Sequence, residues 1–224
     1  DVCREHNIIV NEKEFNREMG HQKNRAREAG KFTTKLILDY EGKDTIFVGY
    51  EKTESQVIIN AMFKGDIPSK ELLKGDEGVL ILDQTPFYAE SGGQVGDIGI
   101  IQNNNFEFIV SDTYKIRNNI FGHTGYVQEG KIKLKDKASA IININNRSNI
   151  KRNHSATHLL HKALKIVLGD HVEQKGSLVD SVKTRFDFSH NKSLSPEDIK
   201  KVESIINSEI LQNQSTQTRL MKIE

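Results

Sequence analysis

The chain has 224 residues, enough for one large or two small domains, and is 36% hydrophobic and 28% charged. Because its formal net charge is only +1, any nucleic-acid surface must be a local patch. Its single cysteine, Cys3, excludes an internal disulfide and fits a reducing compartment, and no apolar run is long enough to span a bilayer. The N-terminus has neither an initiating Met nor the apolar core of a signal peptide, so we expect a piece of a longer chain.

The first predicted element is a charged helix over residues 11–32. Its apolar stripe is thin, basic residues dominate its second half, and Gly30 is a candidate end. Two interpretations stay open. It is a solvated linker helix, which is the usual meaning of such a charge run, or a helix that contacts RNA.

From Thr33 to about Asn145 the pattern changes to short apolar runs with a period of two. The strand candidates are residues 35–39, 45–49, 56–60, 78–82, 106–110 and 138–143. Turn signals rich in Gly and Asn separate these runs. Many short strands punctuated in this way predict a small closed β-barrel over residues 33–146.

A helical pattern follows the barrel. Apolar residues recur at spacings of three and four from Ser148, the candidate N-cap, to Gly169, the candidate end. An irregular stretch is predicted over residues 171–179, and a strand over residues 184–188.

A second helix is predicted from Pro196 to about Asn213, with Ser195 as its cap and Asp198 at the third position. A further strand begins at Thr218, and because the chain stops inside it we expect an incomplete domain. The predicted fold class is therefore α+β. It consists of an N-terminal helix (1–32), a small β-barrel (33–146) and a truncated α/β subdomain (147–224).

His154 and His158 lie four residues apart on the first predicted helix of this subdomain, so both imidazoles share one face and can converge on one ion. His161 lies about 20° from the same face by helix geometry. A helical pair of this kind supplies two of the four ligands of a zinc site. Two structural histidines are the commoner explanation of the spacing alone. A zinc-protease site is disfavoured because Ser155 stands where that motif needs Glu.

Two other segments carry polar groups beside glycines. The turn from Thr85 to Asp97 contains three glycines that permit a close backbone approach to a ligand, although a barrel corner with glycines at bulges is the commoner structure. Residues 174–179 and 185–188 offer an amide, a hydroxyl and a guanidinium, with little specificity by themselves.

Together these segments closely resemble the editing region of bacterial alanyl-tRNA synthetases. Residues 83–97, 153–161, 169–177 and 185–188 carry the resemblance, in order and spacing as well as in composition. The helix that ends at residues 24–32 resembles the end of the family's helical tRNA-recognition region. Freestanding trans-editing proteins share the barrel and the histidine motif but lack that helical region, so the chain is more similar to the synthetase.

The resemblance implies an alanine–tRNA ligase with an editing domain that hydrolyses tRNA(Ala) mischarged with serine or glycine. Small amino acids differ by too little to be separated in one binding step, hence the second site. ATP and Mg²⁺ would serve only the aminoacylation domain, which is not in this chain. The implied partners are tRNA(Ala) and the rest of the synthetase in the cytoplasm, with no membrane and no DNA.

The resemblance also implies a metal. His154 and His158 would be zinc ligands, and the other two ligands would come from a C-x-x-x-H motif that the printed sequence does not contain. Cys3 is not at a matching position. Because a complete site needs four ligands, we expect weak or no zinc occupancy and little hydrolysis by this chain alone.

Further roles follow from the resemblance. Gln174 and Thr157 would line the editing pocket, while Gly92, Gly93 and Gln94 would approach the 3′ end of the tRNA. The implied chemistry is attack of water on the aminoacyl ester, positioned by zinc or by backbone donors. The basic residues expected to contact tRNA are Arg25, Arg27, Lys151, Arg152 and Arg185. The competing hypothesis is a noncatalytic RNA-binding module with structural histidines, for which these charges are ordinary surface charge.

Overall fold

The computed structural model describes residues 13–15, 17–21 and 38–215. The chain divides into two compact units, Asp1–Ile37 and Leu38–Glu224. In the first unit the described residues are helical, as predicted for this part of the chain. The rest of the predicted N-terminal helix lies outside the described residues. No helix in the described part of the chain is long and apolar enough to cross a membrane.

Ten strands precede the first helix of the second unit. They are β1 (Ile46–Phe47), β2 (Glu54–Lys64), β3 (Ile67–Ser69), β4 (Glu71–Leu73), β5 (Glu77–Leu82), β6 (Gln84–Thr85), β7 (Gly99–Asn103), β8 (Phe106–Arg117), β9 (Ile120–Lys133) and β10 (Lys137–Ile142). Six of them pair antiparallel in the order β10-β7-β8-β9-β5-β2, and β2 also pairs with β10. This last pairing closes the sheet, so the predicted small barrel is confirmed.

Alternating residues of the barrel strands fill its interior. In β2 the buried positions include Val57 and Ile59, and in β8 they include Phe106, Phe108 and Val110, each separated by a more exposed residue. This period of two is what places one side of every strand in the core. Burying each such side chain is worth about 1.5–3 kcal/mol, so the barrel has a substantial core.

Several strand predictions differ from the structure. Of the candidate strand at 45–49, only the two residues of β1 are in a strand. The candidate at 35–39 is described only at residues 38 and 39, and these are not in a strand. The longest strand, β9, was missed altogether. Its sequence contains three glycines and a buried histidine in place of an apolar alternation. One of these glycines, Gly125, is needed because the carbonyl of Ile109 approaches it closely.

The first long helix is α1 (Ile144–Leu168). It begins five residues before the predicted start, since Asn143, not Ser148, is its N-cap and accepts from the amide of Asn146 at 3.0 Å. The first turn is polar, so the apolar period reveals the helix only after it has begun. The predicted end at Gly169 is confirmed.

The remainder forms a hairpin and a second helix. Strand β11 (Gln174–Val179) occupies most of the stretch predicted as irregular, and it pairs antiparallel with β12 (Thr184–Phe188), which is confirmed. Helix α2 (Pro196–Gln212) has the predicted cap, with Ser195 and Asp198 in a reciprocal capping box. The strand predicted from Thr218 lies outside the described residues.

A second, smaller core joins these elements. Its buried members come from α1, the segment before β11, and α2: Ala163, Leu164, Val172 and Val202. Phe186 and Phe188 of β12 pack against it. The α+β fold class is thereby confirmed, while the predicted segment boundaries stay predictions.

Candidate functional site

Three parts of the fold meet at Gln94: the Gly-rich turn that carries it, helix α1 and strand β11. Its side-chain Oε1 lies 2.7 Å from Nδ1 of His154 on α1. Its backbone forms an isolated parallel bridge with Val179, the last residue of β11. Gln94 is only 7% exposed, so this contact is an internal one. The Gly-rich turn of the barrel, the histidine helix and the hairpin therefore converge at one residue.

The two predicted zinc ligands face each other on α1. The rings of His154 and His158 are stacked, with centroids 4.9 Å apart and an interplanar angle of 15°. His154 is partly buried and His158 is exposed. Burial, and next the adjacent imidazole of His158, lower the pKa of His154 below its ordinary value. His154 is thus held in the neutral form that binds metals.

The Gln94 contact also selects the tautomer of His154. An amide oxygen only accepts hydrogen bonds, so the ring must donate from Nδ1, and Nε2 keeps its lone pair. That arrangement matches a metal-binding histidine whose other nitrogen is held by an acceptor. Within residues 13–15, 17–21 and 38–215, no group of three or more His, Cys, Asp or Glu side chains could hold a metal. The pair therefore fits as two ligands of a site that needs more.

The Gly92–Gly93 turn packs directly on β11. The amide of Val179 donates to Gly93 O at 2.8 Å, and the amide of Val95 donates to Val179 O at 3.1 Å. Gly93 has a φ of 84°, and a Cβ there would lie 2.7 Å from the carbonyl oxygen of Ser177. No other residue fits this approach. Gly92, in contrast, adjoins open space.

Thr157 connects α1 to the hairpin. Its hydroxyl donates to Asn153 O at 2.8 Å and lies 2.6 Å from the hydroxyl of Thr184. Because the single proton of Thr157 goes to Asn153, Thr184 is the donor in the second bond. Asn153 itself donates to Asp180 O at 2.8 Å. Thr157 is buried, so its observed contacts hold the helix against β12.

Gln174 begins β11 and is exposed. Its amide donates to the hydroxyl of Ser177 at 3.2 Å, and Ser177 is the residue on which Gly93 packs. Gln174 therefore reaches the site's rim through one intervening side chain. Its predicted role in the editing pocket stays a prediction.

Five basic residues were predicted to contact tRNA, and two of them, Arg25 and Arg27, lie outside the described residues. Lys151 and Arg152 are exposed on α1. Arg185 is exposed on β12, and its Nε lies 3.2 Å from Oδ2 of Asp187. The three described cations are thus available to solvent beside the site.

Sequence reasoning missed a buried ion pair between the barrel and α1. Nε of Arg147 lies 2.8 and 2.9 Å from the two carboxylate oxygens of Asp97, and Nη2 also contacts Asp97. The guanidinium further donates to Gly49 O and Pro86 O, both at 3.0 Å. Asp97 is the last residue of the Gly-rich turn that begins at Thr85, and nothing else in the sequence suggested a role for it. Nothing suggested a role for Arg147, because one arginine in a polar helical turn is ordinary.

An aromatic cluster beside this ion pair was also missed. The ring of Phe47 stacks on Phe121 at 5.7 Å and meets Tyr50 and Tyr88 edge-on at 5.0 and 6.1 Å. Burial raises the pKa of the Tyr88 phenol, and the neighbouring Tyr50 adds to the rise. Tyr50 is 87% exposed. In the sequence these residues are scattered over three separate parts of the chain without a shared period.

The chain matches the family model of tRNA synthetases class II (A) over residues 1–146. It is 50% identical over 223 residues to the alanine–tRNA ligase of Dechloromonas aromatica (strain RCB). It is 49% identical over 224 residues to that of Aromatoleum aromaticum (strain DSM 19018 / LMG 30748 / EbN1), and 47% to that of Polaromonas sp. (strain JS666 / ATCC BAA-500). Each match covers 100% of this chain and 26% of the relative, so the chain spans about a quarter of these curated relatives.

Proposed function

Because the chain belongs to the family of tRNA synthetases class II (A), we propose that it is the editing region of an alanine–tRNA ligase, which hydrolyses tRNA(Ala) carrying serine or glycine. The observation that supports this most is the contact between Gln94 and His154. It joins two segments that are far apart in the sequence and that both resemble the editing region. Such an enzyme works with tRNA(Ala) in the cytoplasm.

In this proposal the chain's own residues bind and orient the aminoacyl ester. The turn of exposed Gly92 and half-buried Gly93 would supply backbone amides, since such donors stabilise the negative charge that develops on an ester oxygen. Gln174 offers an amide at the rim and orients the misattached amino acid. Thr157 fixes the distance between α1 and the hairpin through its contact with Thr184. The attacking nucleophile is water.

His154 and His158 would hold zinc through their open ring nitrogens, with Gln94 keeping His154 in the required tautomer. When bound, zinc supplies Lewis acidity at the mouth of the site. The described residues contain no group of three or more possible ligands, so we propose that a longer protein carrying the chain contributes the two remaining ligands. ATP and Mg²⁺ would act in the aminoacylation domain of that protein, and this chain would not charge tRNA by itself.

The test is hydrolysis of Ser-tRNA(Ala), measured with the chain alone and with the full synthetase carrying it. We expect rapid release of serine by the full protein and weak or no release by the chain. His154→Ala in the full protein should slow release by on the order of 100-fold or more, the scale on which losing an electrostatic stabiliser acts. His171→Ala, a change at an exposed histidine on the far side of Gly169, is the matched control.

Two rival functions predict different results. A noncatalytic tRNA-binding module would bind tRNA(Ala) but leave Ser-tRNA(Ala) intact even within the full protein. A freestanding deacylase would release serine rapidly as the isolated chain. Normal hydrolysis by the His154→Ala protein would refute the metal role while leaving the editing proposal in place.

A further inference from the structure

Tyr50 is a large aromatic side chain held in solvent. It is 87% exposed, yet its ring meets Phe47 edge-on with centroids 5.0 Å apart. Phe47 in turn stacks on the buried ring of Phe121 with an interplanar angle of only 9°. The exposed ring is therefore the outer member of an aromatic group whose inner members are fixed in the barrel.

The backbone that carries Tyr50 is fixed as well. Gly49 O accepts from Nη1 of Arg147 at 3.0 Å, and Pro86 O accepts from Nη2 of the same guanidinium. The amide of Tyr88 donates to Asp97, the partner of Arg147, at 2.7 Å. One buried ion pair thus holds the two segments that bear Tyr50 and Tyr88. An exposed ring on a backbone held in this way loses little conformational entropy when a ligand binds.

The aromatic group is continuous with the candidate site. The hydroxyl of Tyr88 donates to Ser91 O at 3.4 Å, and Ser91 pairs with Gln94, which contacts His154. Arg147 holds the segment of Tyr50 through Gly49 O, and it lies seven residues before His154 on one helix, a rise of about 10 Å. Stacked nucleotides advance about 3.4 Å each along one strand, so this distance corresponds to about three nucleotides.

We propose that Tyr50, with Phe47 and Tyr88, forms a stacking platform for the bases of the single-stranded 3′ end of tRNA, about three nucleotides before the aminoacyl ester. Every base presents a flat π face, so aromatic side chains bind single-stranded RNA without needing a particular sequence. Lys52, two residues after Tyr50, is an exposed cation and would contact the backbone phosphates of a strand stacked there. The inference rests on the proposed function for the identity of the RNA.

Binding of a labelled RNA hairpin tests the platform. One probe carries a four-nucleotide single-stranded 3′ overhang, and a second probe is the same hairpin with a blunt end. For the 224-residue chain we expect Tyr50→Ala to weaken binding of the overhang probe by about 5-fold to 150-fold, the loss typical of one stacked base. Tyr50→Phe keeps the ring and should bind as the parent does.

The matched control is Tyr126→Ala, which removes a tyrosine that is 40% exposed on β9, away from the aromatic group. It should leave both affinities unchanged, and Tyr50→Ala should leave blunt-hairpin binding unchanged. Equal binding of the overhang probe by the parent and Tyr50→Ala proteins would overturn the platform. So would a loss of the same size on both probes, or with Tyr126→Ala.

Kinetics of the full synthetase separate this inference from the proposed function. Tyr50→Ala should raise KM for Ser-tRNA(Ala) more than it lowers kcat, because the ring contacts the bases and not the ester. If the parent protein binds the overhang through Tyr50 but releases no serine, the editing function fails and the platform stands. If it releases serine with a KM that Tyr50→Ala does not change, the platform fails and editing stands.

Discussion

Asp97→Asn removes one charge from the ion pair that joins the barrel to α1. The Asp97 side chain is 1% exposed, and its carboxylate accepts from Nε of Arg147 at 2.8 and 2.9 Å and from the amide of Tyr88 at 2.7 Å. Asparagine keeps the shape but replaces one oxygen by an NH₂ group, which faces other donors. The Arg147 guanidinium, 14% exposed, would then lack a counter-ion.

Removing one partner of a buried pair costs about 3–5 kcal/mol, because the other charge is left without compensation. We expect Asp97→Asn to lower the free energy of unfolding by this amount. Part of the Arg147 bonding survives, since Gly49 O and Pro86 O still accept from it, which favours the lower half of the range. The predicted loss is therefore about 3–4 kcal/mol.

Asp187→Asn is the matched control. It removes the same charge from an ion pair with Arg185, whose members are 64% and 47% exposed. Pairs exposed to this extent contribute at most about 1 kcal/mol. Urea unfolding of the three proteins, followed by circular dichroism, measures both changes. An Asp97→Asn loss no larger than that of Asp187→Asn would refute the reasoning, since burial would then make no difference to the pair.

Two further predictions concern histidines. Gln94→Leu should abolish the preference of His154 for a proton on Nδ1, which ¹⁵N NMR of the ring measures, and should weaken zinc binding by about 10–100-fold. Gln94→Glu is the control, because it keeps an acceptor for that proton and so keeps the preference. An unchanged His154 tautomer in the Gln94→Leu protein would contradict this prediction. Burial lowers the pKa of His123 from 6.5 to about 4, so as the pH falls His123 is protonated in the unfolded chain before it is protonated in the folded one. Its stabilising contribution is complete above pH 6.5 and is lost as pH falls towards 4, a change of about 3 kcal/mol. His123→Gln should show a shallower loss of stability in urea between these pH values, and parallel curves for the two proteins would refute the assignment.

The barrel could be predicted from the sequence where its strands alternate in the usual way. Residues 56–60 of β2 and 106–110 of β8 form short apolar runs between turn signals, and burial alternates along both runs. β9 breaks that rule with His123, which is fully buried because Thr85 and the carbonyl of Leu80 satisfy its two nitrogens. Partners so distant in sequence cannot be read from the strand itself.

The candidate site divides in the same way. His154 and His158 were predicted from helical spacing, which is a local property, and their rings do meet on one face of α1. The contact of His154 with Gln94 spans 60 residues, and the family resemblance alone suggested that these segments belong together. Tyr50 gave no signal, because an exposed ring becomes notable only when its neighbours Phe47 and Tyr88 are known.

The position of the site depends on a feature that adds little net stability. A buried ion pair is often no more stabilising than an apolar pair of the same size, because desolvation offsets the attraction. Its geometry is nevertheless selective, since the Arg147 guanidinium reaches Asp97, Gly49 O and Pro86 O at once in only one placement of α1. Apolar contacts would tolerate a small rotation or slide of the helix. Two turns after Arg147, such a movement would displace His154 from Gln94, a bond of 2.7 Å that tolerates little change in length.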